Sequence, residues 1–89
     1  MEHAVAFLQY VVSNLVDSPD QVHIEDKKDE QGILFTLSVA KEDMGKVIGK
    51  DGKTIYALRS LLKSIGMKHH EKFYLRIEEP GNDTDSVSE

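Results

Sequence analysis

The residues best suited to do chemistry in this chain are Gly45-Lys46-Val47-Ile48-Gly49-Lys50-Asp51-Gly52-Lys53-Thr54-Ile55. Two glycines, Gly49 and Gly52, bracket a two-residue tip between one stretch of helical pattern and another. Glycine lacks a Cβ, so the backbone can turn tightly there and a ligand can come close to it. Amide groups at the start of the second helix have no intrahelical partner and carry the positive end of the helix dipole. Lys46, Lys50 and Lys53 place mobile positive charge around them. The chemistry this predicts is the holding of an anion such as a phosphate, without bond making.

Two nucleotide motifs share part of this pattern and fail on position. Gly52-Lys53-Thr54 looks like the end of a P-loop, which needs a glycine five residues before its last one, where this chain has Val47. The dinucleotide fingerprint also needs a glycine at Val47. No other constellation suggests catalysis. Ser, His and Asp all occur, but without a nucleophile's setting. His69 and His70 are adjacent, so on an extended chain they point to opposite sides and chelate one metal poorly. With no cysteine there is no disulfide and no thiolate zinc site. No metal, cofactor or enzymatic activity is expected.

The loop must be positioned by its neighbours, and periodicity predicts what they are. Ala4, Phe7, Leu8, Val11, Val12 and Leu15 fall on one helical stripe, which Asp17-Ser18-Pro19 should end. Val22 and Ile24 alternate with His23 and Glu25 as a strand. Asp26 to Gly32 is polar and reads as a hairpin connection. Ile33, Phe35, Leu37 and Val39 form the apolar face of a second strand. Lys41-Glu42-Asp43 opens a short helix that runs to Gly49, its acids suiting the positive dipole end. A longer helix follows from Lys53 to about Ile65, with Gly66 as its C-terminal cap. Phe73, Leu75 and Ile77 make a last strand.

On the longer helix Ile55, Leu58, Leu62 and Ile65 read as the inner stripe, with Arg59, Lys63 and Tyr56 opposite. Thr54, Ala57 and Leu61 widen the apolar arc beyond what a surface helix needs. Tyr74 and Arg76 fall on the outer face of the last strand.

Eighty-nine residues predict one domain with a thin core. Residues 1–79 are read as that domain and residues 80–89 as a disordered acidic tail. No apolar run approaches the ~20 residues that span a bilayer. The start Met1-Glu2-His3-Ala4-Val5 does not look like a secretory signal. A cytoplasmic protein without membrane contact is expected. Net charge is −5, but its distribution is uneven. Lys41–Lys63 holds six basic and three acidic residues, between two acidic segments.

Val47-Ile48-Gly49-Lys50-Asp51-Gly52-Lys53-Thr54-Ile55 resembles the signature of KH domains, whose GxxG loop clamps about four nucleotides. The order helix, strand, strand, helix, helix, strand resembles the bacterial type II arrangement. The single-domain length and Asp43-Met44-Gly45-Lys46 resemble the small bacterial KhpA family most closely. That resemblance implies an α+β fold, a three-stranded sheet packed against three helices. It implies single-stranded RNA as partner, with Gly49, Lys50, Asp51 and Gly52 at phosphates and Lys46 and Lys53 nearby. Val47, Ile48 and Ile55 would form the apolar groove wall beneath the bases. A role as RNA chaperone or post-transcriptional regulator follows. So does dimerisation through Ala57 and Leu61, with itself or with a larger KH-containing RNA-binding protein. Asp51 departs from the pattern, because an acid at the tip weakens attraction to phosphate. The rival reading is a KH-fold protein–protein subunit with little RNA binding of its own.

Overall fold

The computed structural model describes residues 2–78. Helix α1 (Glu2–Ser13) buries Ala4, Leu8 and Val12, the repeat of a helix with one apolar stripe. It leaves the α conformation four residues before Asp17. The Leu15 N–H donates to Val12 O at 2.9 Å, a tightened last turn. The Asn14 side-chain amide donates to Tyr10 O at 2.7 Å, beside a longer 3.3 Å bond from the Asn14 N–H to the same oxygen. Pro19 then opens a single 3₁₀ turn, Pro19–Gln21.

Strand β1 (His23–Asp29) is longer than the apolar alternation predicts. Asp26, Lys27, Lys28 and Asp29, read as a connection, pair antiparallel with Phe35, Leu34, Ile33 and Gly32 of β2 (Gly32–Ser38). The connection is only Glu30 and Gln31. Asp29 Oδ1 closes it by accepting from the N–H groups of Gln31 at 2.8 Å and Gly32 at 3.2 Å. The cause is position in the sheet. β1 is an edge strand with only Ile24 partly buried, so pairing needs no apolar side chains.

Strand β2 is central, antiparallel to β1 and parallel to β3 (Phe73–Glu78). Ile33, Phe35 and Leu37 are buried on one face and alternate with half-buried neighbours, as predicted. Phe35 meets Phe73 edge to face with ring centroids 5.1 Å apart. Each such side chain, fully covered, contributes about 1.5–3 kcal/mol.

After a 3₁₀ turn, Lys41–Asp43, come helix α2 (Met44–Ile48) and helix α3 (Lys53–Lys68). The α3 stripe is Ile55, Leu58, Leu62 and Gly66, with Ile65 only partly buried. Gly66 does not cap the helix. It lies buried within it, because a Cβ there would stand 2.8 Å from Glu71 O and 3.0 Å from Phe73 Cγ. The left-handed residue that ends the helix is His70, at φ +61°. The Glu71 N–H then donates back to Gly66 O at 2.8 Å. The order α-β-β-α-α-β and the three-helix, three-strand α+β architecture are those expected. The acidic tail read at residues 80–89 lies outside the described residues.

Candidate nucleic-acid interface

Helix α2 ends at Gly49, whose N–H donates to Gly45 O at 2.8 Å and whose backbone turns to φ +79°. A side chain there would strike Thr54, so both the angle and the space require glycine. Asp51 and Gly52 continue in the left-handed region at φ +57° and +75°. Three of the four loop residues therefore have positive φ, and Lys50 is left as the conventional one. Asp and Asn are the side chains that tolerate this region best, which gives the acid at the tip a backbone reason. Lys50, Asp51 and Lys53 are exposed. No side chain caps the start of α3, while the Gly52 N–H donates to Gly49 O at 3.1 Å and the Lys53 N–H to Lys50 O. Neither Lys50 nor Lys53 forms an ion pair among the described residues.

Lys46 is different. Its Nζ lies 3.3 Å from Asp17 Oδ2 and 3.6 Å from Asp43 Oδ1. The Asp17 hydrogen bond, ahead of other causes, raises its pKa. Its charge is taken up by the chain itself, so the mobile charge predicted at the loop reduces to Lys50 and Lys53.

Asp43 is the residue that sequence reasoning missed. It is fully buried, accepting from the Asp17 N–H at 3.2 Å and the Ser18 N–H at 3.0 Å. Burial pushes its carboxyl up, but the two amides and Lys46 outweigh that and hold it below the usual range. It does not act at the helix terminus as its position suggests. It fastens the α1–β1 connection to the start of α2, whose other end is the loop. An acid three residues before a lysine was the only available signal.

The apolar residues separate by depth. Val47, expected in the groove wall, is fully buried, and Ile55 is nearly so. They belong to the core below the loop, and only Ile48 of the three keeps substantial surface. Between them α3 and the open edge of β3 form a groove of about 500 Å³. Arg59, Lys63, Met67, Lys72, Tyr74 and Leu75 are among its lining residues. Arg59 Nε donates to Leu75 O at 3.2 Å, across the open strand edge. Sequence placed Arg59 and Lys63 on a solvent face and Tyr74 on a sheet face. Nothing in either period could show that the fold brings them together.

Ala57 and Leu61 are exposed on the flank of α3 opposite Arg59 and Lys63, Leu61 at 53%. Leu61 is therefore no part of the monomer core. His69 stacks on His3 with ring centroids 6.0 Å apart. Among the described residues no cluster of His, Cys, Asp or Glu could hold a metal ion, and no helix is long and apolar enough to cross a membrane.

The family model described as the KhpA/KhpB KH domain matches residues 5–77. The protein named RNA-binding protein KhpA in Chlamydia caviae is 47% identical over 73 residues, 82% of this chain and 94% of that one. Proteins of the same name in Clostridium acetobutylicum and Listeria monocytogenes are 40% identical over 70 residues and 42% over 69. Those alignments cover 79% and 78% of this chain and 93% and 91% of theirs. Fold, loop and relatives agree, and the chain belongs to the KhpA/KhpB family of KH-domain proteins.

Proposed function

We propose that this chain binds single-stranded RNA without catalysing a reaction on it, and acts in the cytoplasm as an RNA chaperone or post-transcriptional regulator. The observation that carries the reading is the Gly49–Gly52 loop. Three of its four residues have positive φ, and among the described residues neither Lys50 within it nor Lys53 after it forms an ion pair. Phosphates of a short strand sit at Gly49, Lys50, Asp51, Gly52 and Lys53, and bases lie toward Ile48 and the groove. The relatives' name supports RNA as the ligand.

The working state we propose is a dimer, formed through Ala57 and Leu61 with a second copy or with a larger KH-containing protein. Support comes from the exposure of Leu61 and from the pairing in the family's description.

A salt series on RNA binding tests the reading. About two or three neutralised phosphates predict a log–log slope of roughly −1.5 to −2 for a single strand. A duplex of the same sequence should bind more weakly, because its bases cannot enter the groove. Binding that ignores salt, or that favours the duplex, would count against it.

A further inference from the structure

The loop hangs between two helices that are held very differently. Helix α3 is sixteen residues long and buries Ile55, Leu58, Leu62 and Gly66, so its start is fixed by the core. Helix α2 has five residues, about 7.5 Å of helix, and a helix that short has no stability of its own. Its placement must come from outside it. Val47 is fully buried, and Met44 and Ile48 pack partly against the same core. Apolar contact is non-directional, so it holds α2 against the core without fixing its tilt. Nor can the loop fix it, because Gly49 and Gly52 let the backbone follow wherever its ends are placed.

The directional contacts lie at the other end of α2. Asp43 accepts from the Asp17 and Ser18 N–H groups, and Lys46 Nζ bridges Asp43 Oδ1 at 3.6 Å and Asp17 Oδ2 at 3.3 Å. We propose that Asp43 and Lys46 are positioning residues for RNA binding, tying α2 to the α1–β1 connection so that Gly49 stands where the loop can close on phosphate. This rests on the reading that the loop binds RNA. The cluster is not itself a phosphate site, since two carboxylates surround its one ammonium group. Its part is to raise the fraction of molecules whose loop is already in the binding geometry.

The test uses fluorescence anisotropy of the full chain with a labelled mixed-sequence single-stranded RNA at several salt concentrations. The temperature is kept well below the melting point of every variant, so each protein is folded throughout. On charge alone, removing a carboxylate from an RNA-binding protein should tighten binding. Asp43→Asn should instead weaken it about fivefold, the loss expected when about a fifth of the molecules hold the competent geometry. Lys46→Met should weaken it about threefold by the same route. Lys46 is half exposed, so this second variant folds even where Asp43→Asn does not. In both, the log–log salt slope should stay that of wild type, because every complex that forms makes the full set of phosphate contacts. Variants that melt earlier yet bind as wild type would reduce the pair to a stabilising role and overturn the proposal. A slope shallower by about 0.7 in Lys46→Met would make Lys46 a phosphate ligand and overturn it as well. Lys50→Asp in the same series keeps the two readings apart. If it is weakened while Asp43→Asn and Lys46→Met are not, positioning is refuted and the loop reading stands. If Lys50→Asp binds as wild type does, the loop reading fails and positioning with it.

Discussion

Asp43 is a buried carboxylate whose two oxygens face two backbone amides and one lysine. Its folded pKa is depressed, so the unfolded chain takes up the proton first as pH falls. The stability it contributes is complete above the unfolded carboxylate value of about 3.9 and is lost as pH drops through the lower folded value. Lys46 has the opposite sign, its small contribution disappearing only as pH rises through its raised folded value. Asp43→Asn is expected to lower the melting temperature by several degrees at pH 7. The gap to wild type should narrow below about pH 4. Parallel melting curves that never converge in acid would assign the loss to packing alone. Asp51 gives a second prediction at this scale. Asn tolerates the same left-handed backbone, so Asp51→Asn should leave stability within about 0.5 kcal/mol. RNA affinity should rise about two- to fivefold at low salt, the size of one exposed charge interaction. An unchanged affinity would place phosphate away from the tip.

At the scale of elements, α3 carries the molecule's division of labour, with core, groove and an exposed apolar flank on three sides. Leu61→Asp should leave the fold intact, because Leu61 is exposed, and should abolish self-association. Sedimentation of both proteins decides this, and the same monomeric mass in both would remove the homodimer. Gly66→Ala sets two effects against each other. Alanine favours a helix interior by about 1 kcal/mol, whereas its methyl group would press on Glu71 O and the Phe73 ring. Overpacking of that kind costs about 1–3 kcal/mol. A net loss of about 1 kcal/mol is therefore expected in denaturant unfolding, and a stabilised variant would show that β3 can move away. The elements that bury an alternating or helical stripe, α1, β2, α3 and β3, could be read from their side chains. The second half of β1 could not, since an exposed edge strand is held by backbone pairing alone. Gly66 misled for a related reason. Its smallness answers to a strand that packs from elsewhere in the chain, and local sequence records the residue without its cause.

Over the whole molecule, the loop was visible in advance because its chemistry is local, two glycines three apart with lysines beside them. The groove and the Asp43 fastening were not, because each joins residues distant in sequence, Arg59 with Leu75 and Asp43 with Ser18. The net charge of −5 has little bearing on binding when Lys50 and Lys53 lie at the loop and the start of α3, and Arg59, Lys63 and Lys72 line the groove between α3 and β3. The central claim is that the loop holds RNA phosphate, and Lys50→Asp tests it most directly. Lys50 is exposed and both glycines remain, so the melting curve should be unchanged within about 0.5 kcal/mol. Anisotropy with a labelled mixed-sequence single-stranded RNA, repeated at several salt concentrations, should show binding weakened about tenfold or more. The log–log slope should be shallower by about 0.7, one phosphate contact fewer. Equal affinities and equal slopes in two well-folded proteins would contradict the account and point instead to a protein–protein module.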